Sequence, residues 1–152
     1  MPKSIPIFFS FLLLFFSVSK VSLANNPDAI LGYWKTGEGK GVIHIYKQGD
    51  TYFGKIANMK EPNDPVTGKL KLDVKNDNKQ LQTRSILGLV NLRNFKFVKQ
   101  NLWKEGNIYD PNTGNDYSCK ITMIDNNTIE VRGYVGISIL GRTDTWKRQN
   151  SL

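Results

Sequence analysis

Val131-Arg132-Gly133-Tyr134-Val135-Gly136-Ile137-Ser138-Ile139-Leu140-Gly141-Arg142-Thr143-Asp144-Thr145-Trp146-Lys147-Arg148 is the stretch that decides the fold. Its two ends alternate in the period-2 manner of half-buried strands. In the first, Arg132 and Tyr134 share one face and Val131, Gly133 and Val135 the other; in the second, Arg142, Asp144, Trp146 and Arg148 share a face. Which of these faces points inward is open at this level. The connection from Gly136 to Gly141 is mostly apolar, where a hairpin loop is ordinarily polar. It either plugs a barrel end or stays exposed for a partner, and the plug is the expectation.

The same signals run upstream. Strands are expected over residues 31–36, 41–47, 51–59, 86–98, 102–109, 115–124, 128–135 and 141–148. Turn chemistry separates them at Gln48-Gly49-Asp50, at Asn101, at Asp110-Pro111-Asn112-Thr113-Gly114 and at Asp125-Asn126-Asn127. No stretch sustains a helical period. The reading is all-β: a single antiparallel up-and-down β-barrel of about eight strands. Closure hides both sheet edges by pairing the first strand with the last. Trp34, near the start, and Arg148, near the end, are placed to fasten it by stacking.

Residues 60–85 break the rhythm. They are polar, rich in lysine, interrupted by Pro62 and Pro65, and too long for an ordinary hairpin connection. A solvated surface loop is expected, with a short strand or turn around residues 68–74.

The first 24 residues read as a cleaved signal peptide. Lys3 precedes a largely apolar run over residues 5–18, and Ser22-Leu23-Ala24 puts small residues where a signal peptidase cuts. Cleavage after Ala24 leaves an exported chain, periplasmic or extracellular, of residues 25–152. Setting Lys3 and Lys20 aside takes the 21 basic residues to 19 against 13 acids, a net charge of +6. The lysines are dispersed among acids rather than clustered, which argues against nucleic acid as a partner. Cys119 is the only cysteine, so stability rests on the core and not on an internal disulfide.

Catalytic patterns are missing. His44 is the only histidine and no Gly-x-Ser-x-Gly elbow accompanies it. Asp110 and Asp116 flank a turn, where such carboxylates bond their own backbone amides. No catalytic residue, metal ligand or cofactor site is assigned. The best ligand-binding candidates are Arg132, Tyr134 and Arg142, suited to an acidic headgroup, with Ile139 and Leu140 from the apolar connection.

Gly32-Tyr33-Trp34, with Arg148 available to pack on the tryptophan, resembles the lipocalin signature. Gly32 to Thr36, Tyr109-Asp110-Pro111 with Gly114, Tyr117 to Lys120, and Val131 to Thr143 with Thr145-Trp146 together resemble the bacterial secreted family known as domain of unknown function 2147. The resemblance implies a lipocalin-like exported barrel, with Gly32, Trp34, Trp146 and Arg148 at its closure. It implies no established activity and no catalytic residues. Relatives often carry further cysteines in the connection matching residues 60–85; none stands there in this chain, so the resemblance supports no redox or metal role for that segment. The expected function is non-enzymatic binding of a small apolar or amphipathic ligand, such as a lipid or fatty acid. The alternative is an envelope protein docking a partner, an anionic membrane surface or a cell-wall polymer through its basic surface and residues 137–140.

Overall fold

The computed structural model describes residues 25–152; the expected leader lies outside them. Eight antiparallel strands form a closed up-and-down barrel: β1 (Gly32–Lys35), β2 (Gly41–Gln48), β3 (Thr51–Met59), β4 (Val90–Lys99), β5 (Leu102–Asp110), β6 (Asn115–Asp125), β7 (Thr128–Tyr134) and β8 (Gly141–Gln149). Closure pairs Trp34 with Arg148 and Lys35 with Lys147 across β1 and β8, the strands expected to meet. The fourth strand starts at Val90, not at residue 86, because Ile86 donates its amide to Lys71 and so belongs to the long connection.

One end of the barrel is shut. Pro27–Ile30 forms a 3-10 turn beneath it, opened by the Asn26 side chain capping the Asp28 amide. Trp34 donates its indole N–H to Ile30 (2.8 Å), Trp103 to Pro27 (3.2 Å), and Tyr52 its hydroxyl to Asp28 (2.7 Å). The Arg148 guanidinium lies 4.1 Å from the centre of the Trp34 ring. From there it donates to the carbonyls of Ala29 (2.6 Å), Leu31 (2.7 Å) and Asn126 (2.6 Å). Gly32, at φ +117°, makes room: a β-carbon there would sit 3.1 Å from the guanidinium, in a backbone region side chains avoid.

The half of the barrel next to the plug is packed solid. Trp34, Trp103, Tyr52, Phe95, Ile45, Ile121, Ile129 and Met123 are buried in one cluster, joined by the edge-on contacts of Trp103 with Tyr52 and Phe97. Phe95 fits because it lies over Gly106, where a β-carbon would come within 2.4 Å of its ring. Asn94 and Glu105, both at φ 62°, bend β4 and β5 around that contact. Cys119 is fully buried, and burial pushes its thiol up to about 12, so the thiolate needed for exchange is absent at neutral pH.

The apolar connection after β7 is not a plug. Ser138–Leu140 forms a short 3-10 turn whose apolar side chains stand in solvent, with Val135, Ile137, Ile139 and Leu140 68, 63, 76 and 75% exposed. The strands beside it run out at the rim and the turn projects beyond them, while the segment that does fill a barrel end is Pro27–Ile30 at the opposite end.

Arg148→Ala orphans the part-buried carbonyls of Ala29 and Leu31 and removes the indole contact. About 2–4 kcal/mol of stability should be lost in urea denaturation, with Arg148→Lys recovering only a minor part, since an ammonium lacks the guanidinium's spread of donors. A change below about 0.5 kcal/mol would show that closure does not depend on this residue. Cys119 should resist iodoacetamide at pH 8 in the native protein and react on unfolding; fast native labelling would contradict its burial.

Candidate functional site

Antiparallel meandering places the connections alternately at the two ends. The β2–β3, β4–β5 and β6–β7 turns share the plugged end. The β1–β2, β3–β4, β5–β6 and β7–β8 connections share the other, which opens into a cavity of about 540 Å³. Ile43, Ile56, Ile108 and Trp146 supply its apolar lower wall; Met59 and Ile86 extend this upward. The indole of Trp146 separates cavity from packed core, so the cup occupies the upper part of the barrel only.

Asn91 and Asp144 bring polar groups to the cup wall. An extra residue in β4 opposite β3 forms a bulge, since Gly54 pairs with Leu92 but Lys55 with Val90. The bulged residue, Asn91, is 6% exposed, lines the cavity, and its Oδ1 has no hydrogen-bond partner in the protein. Asp144, inward from β8, accepts from the Trp146 indole (2.7 Å) and the Gly37 amide (3.3 Å), holding the β1–β2 connection against the rim. Around the mouth stand Lys40, Lys60 and Lys71 together with Glu38, Glu61 and Asp110. Lys40 pairs with Glu38, and this contact holds the Glu38 carboxyl below its usual range.

The long β3–β4 connection forms one wall of the mouth, and it is fastened rather than loose. Asn63 and Leu70, and Leu72 and Ser85, form isolated bridges. Asp73 is completely buried and accepts from Arg84 Nε (3.0 Å) and Nη2 (2.8 Å), from Asn76 (3.0 Å) and from the Tyr109 hydroxyl of β5 (2.6 Å). Burial, with the Asp73 hydrogen bond second, raises the Tyr109 pKa, so the hydroxyl stays a donor at neutral pH. A wholly buried carboxylate with each oxygen satisfied, paired to a partly exposed guanidinium, specifies one docking geometry for the loop. The solvated-loop reading is corrected to that extent: the turn at residues 68–74 exists, but Asp73 within it is an anchor.

The ligand-binding candidates divide. Pairing of Ile129 with Trp146 and Val131 with Asp144 places those residues, and Arg142 opposite Gly133, on the inward face. Arg132 and Tyr134 therefore face outward, so they cannot hold a headgroup inside the barrel. Arg132 is engaged with its own chain, donating to Ser138 (2.7 Å), Ile139 (3.0 Å) and Thr143 Oγ1 (2.7 Å). Arg142 is inward in register but lies past the rim, its side chain 91% exposed and 3.8 Å from Glu38. Ile139 and Leu140 are outside the cup altogether. Trp146, expected at closure, is instead the cup's lower wall. Asn91 escaped sequence reasoning because only the register slip turns it inward.

The remaining candidates are structural. His44 stacks on Tyr33 outside the barrel, 4.5 Å between ring centres, and its pKa is lowered by burial and then by Lys55. Asp110 accepts from the Asn112 amide (2.9 Å) in its own turn, and Asp116 pairs with Arg93. The two carboxylates are not a working pair.

A family model described as "Uncharacterized protein conserved in bacteria (DUF2147)" matches residues 32–148, which spans all eight strands except the last residue of β8. Among solved structures, the chain is similar to protein HP1028 of Helicobacter pylori, described as belonging to the lipocalin family. The TM-score is 0.68 at 24% identity, over 79% of this chain and 82% of that one. That likeness is one of fold. No curated protein matches.

Asp73→Ala strands Arg84 and Tyr109 and should loosen the mouth wall while leaving the barrel closed. Limited trypsin digestion should then cut first at Lys69, Lys71, Lys75 or Lys79, at least about tenfold faster than in wild type. Unchanged cleavage would show that the segment does not depend on this anchor.

Proposed function

Taking as premise that the chain belongs to the DUF2147 family, whose description assigns no activity, we propose that it is a non-enzymatic binding protein whose ligand is a compact apolar or amphipathic molecule held in the open cup. The observation that carries this reading is the cavity itself. At about 540 Å³ it falls within the range of small-molecule sites, and it joins an apolar lower wall to a few placed polar groups. A barrel meant only as a scaffold gains from filling its interior, as this one does below Trp146.

The shape also sets the ligand's size. The packed half leaves no path for a long acyl chain to lie along the barrel axis. A short or branched chain, or a ring system, fits with its apolar part against Ile43, Ile56, Ile108 and Trp146. Its polar end then lies near Asn91 or among the charges of the mouth. Nothing in the cup pairs a nucleophile with a base, and its carboxylates are bound to neighbouring donors, which favours binding over turnover. Export is part of the proposal: a leader over residues 1–24 places the cup outside the cytoplasm, where shed lipid fragments and small envelope metabolites are the ligands at hand.

Native mass spectrometry of the purified protein and organic extraction of anything bound should recover a small apolar species. A fluorescent naphthalene probe should bind, and Ile108→Trp, which fills the cup from a half-buried wall position, should weaken it at least about tenfold without lowering the melting temperature. No extracted species, together with probe binding indifferent to Ile108→Trp, would exclude the cup as a site.

A further inference from the structure

We propose that the β7–β8 connection is a membrane-docking prong that seats the mouth of the cup on an anionic lipid surface. This deepens the cup reading by naming where its ligand comes from, and rests on that reading in this respect alone.

The prong combines four properties. Its tip is apolar and unshielded, with Val135, Ile137, Ile139 and Leu140 all more than 60% exposed within one stretch of six residues. Scattered single apolar residues are normal on a surface, whereas a contiguous apolar projection marks an interaction site. The second property concerns the backbone. Peptide carbonyls resist entering lipid unless they are bonded within the protein. Here those of Ser138 and Ile139 accept from Arg132, and that of Ile137 accepts from the Leu140 amide (3.1 Å). Arg132 thus acts as a positioning residue: it braces the turn from the outer barrel wall and presents its side chains already desolvation-ready. Gly141 permits this close approach, since a β-carbon there would lie 2.5 Å from the Gly133 carbonyl and 3.2 Å from Arg132 Nε.

The third property is charge. Arg142, at the base of the prong, is almost wholly exposed, and the carboxylate it pairs with, Glu38, is shared with Lys40. Lys120 pairs in register with Arg132 on the outer face and adds a further cation below the prong. Apolar tip, flanking Tyr134 and a cationic collar form the arrangement of interfacial anchors, in which long basic side chains reach phosphates while the tip enters the acyl boundary. Fourth is location. The prong shares its end of the barrel with the cup mouth, so insertion brings the opening towards the bilayer rather than away from it. A protruding tip whose three central carbonyls are satisfied fits a fluid surface better than the groove-and-ridge match a folded protein partner provides.

Sedimentation with vesicles of phosphatidylcholine and phosphatidylglycerol tests this on the mature chain. Wild type should co-sediment with the mixed vesicles, and less with phosphatidylcholine alone or at high salt. Ile139→Asp with Leu140→Asp should lower the bound fraction at least about tenfold, and Arg142→Glu severalfold, with circular dichroism and melting temperature retained. The aspartate variant should still bind the naphthalene probe in solution, and Ile108→Trp should still bind vesicles, so the prong and the cup fail separately. Absence of vesicle binding, or binding unaffected by both sets of changes, overturns the proposal. Concentration-dependent self-association that the aspartates abolish overturns it too, by assigning the prong to a second copy of the chain. Should the aspartates unfold the protein, Arg142→Glu and the salt dependence decide.

Discussion

Arg148 is the point on which the molecule depends. An eight-stranded meander has two free edges until its ends meet, and the meeting here is organised by one guanidinium. It lies on the Trp34 indole and gathers carbonyls from Ala29, Leu31 and Asn126. That single side chain ties the last strand to the first, to the plug beneath them and to the β6–β7 turn. Burial pushes the pKa of this guanidinium down from its ordinary value. Closure at this end is what allows the other to stay open, because a barrel fastened and filled below Trp146 can leave a cup above it unfilled.

The long β3–β4 connection repeats the same device on a smaller scale. Asp73 is buried without exposure and is satisfied by Arg84, Asn76 and Tyr109. Isolated buried charge is costly, so the arrangement is sharply specific: slide the loop by a residue and the carboxylate loses its donors. One wall of the mouth is thereby held by a polar anchor, in contrast to the apolar packing of the barrel. The third arginine, Arg132, does comparable work at the β7–β8 connection. Each of three arginines fixes one irregular segment to the regular sheet.

Much of the fold was legible because barrel strands and their turns are local signals. Alternation fixed eight strands, Asp-Pro-Asn-Thr-Gly and Asp-Asn-Asn marked their turns, and the Trp34–Arg148 contact followed from the need to pair the outer strands. The errors lie where residues distant in sequence decide. The apolar character of residues 136–140 suggested a plug, but the plug is Pro27–Ile30, whose Asn-Pro-Asp start was a readable helix-turn signal. Alternation grouped Arg132 with Tyr134 correctly yet could not say which side of the sheet was inside; the β7–β8 register does. Asn91 was invisible because period-2 reasoning assumes an unbroken ladder, and a bulge breaks it. Asp73 looked like one charge among many, since nothing local distinguishes an acid that will be buried by Tyr109, 36 residues away.

The isoleucines offer a direct test of the central claim, that the upper barrel is a ligand cup and the lower barrel is core. Ile43, Ile56, Ile86 and Ile108 line the cavity; Ile45, Ile121 and Ile129 lie in the packed half; Ile137 and Ile139 stand on the prong. Methyl NMR of isoleucine-labelled protein, titrated with a short-chain fatty acid such as octanoate and with the naphthalene probe, reads all three groups at once. A ligand cup requires saturable shifts with at least one of these ligands at Ile43, Ile56, Ile86 and Ile108, with Ile45, Ile121 and Ile129 unmoved. Shifts confined to the prong, or none at the cup with either ligand, would contradict it.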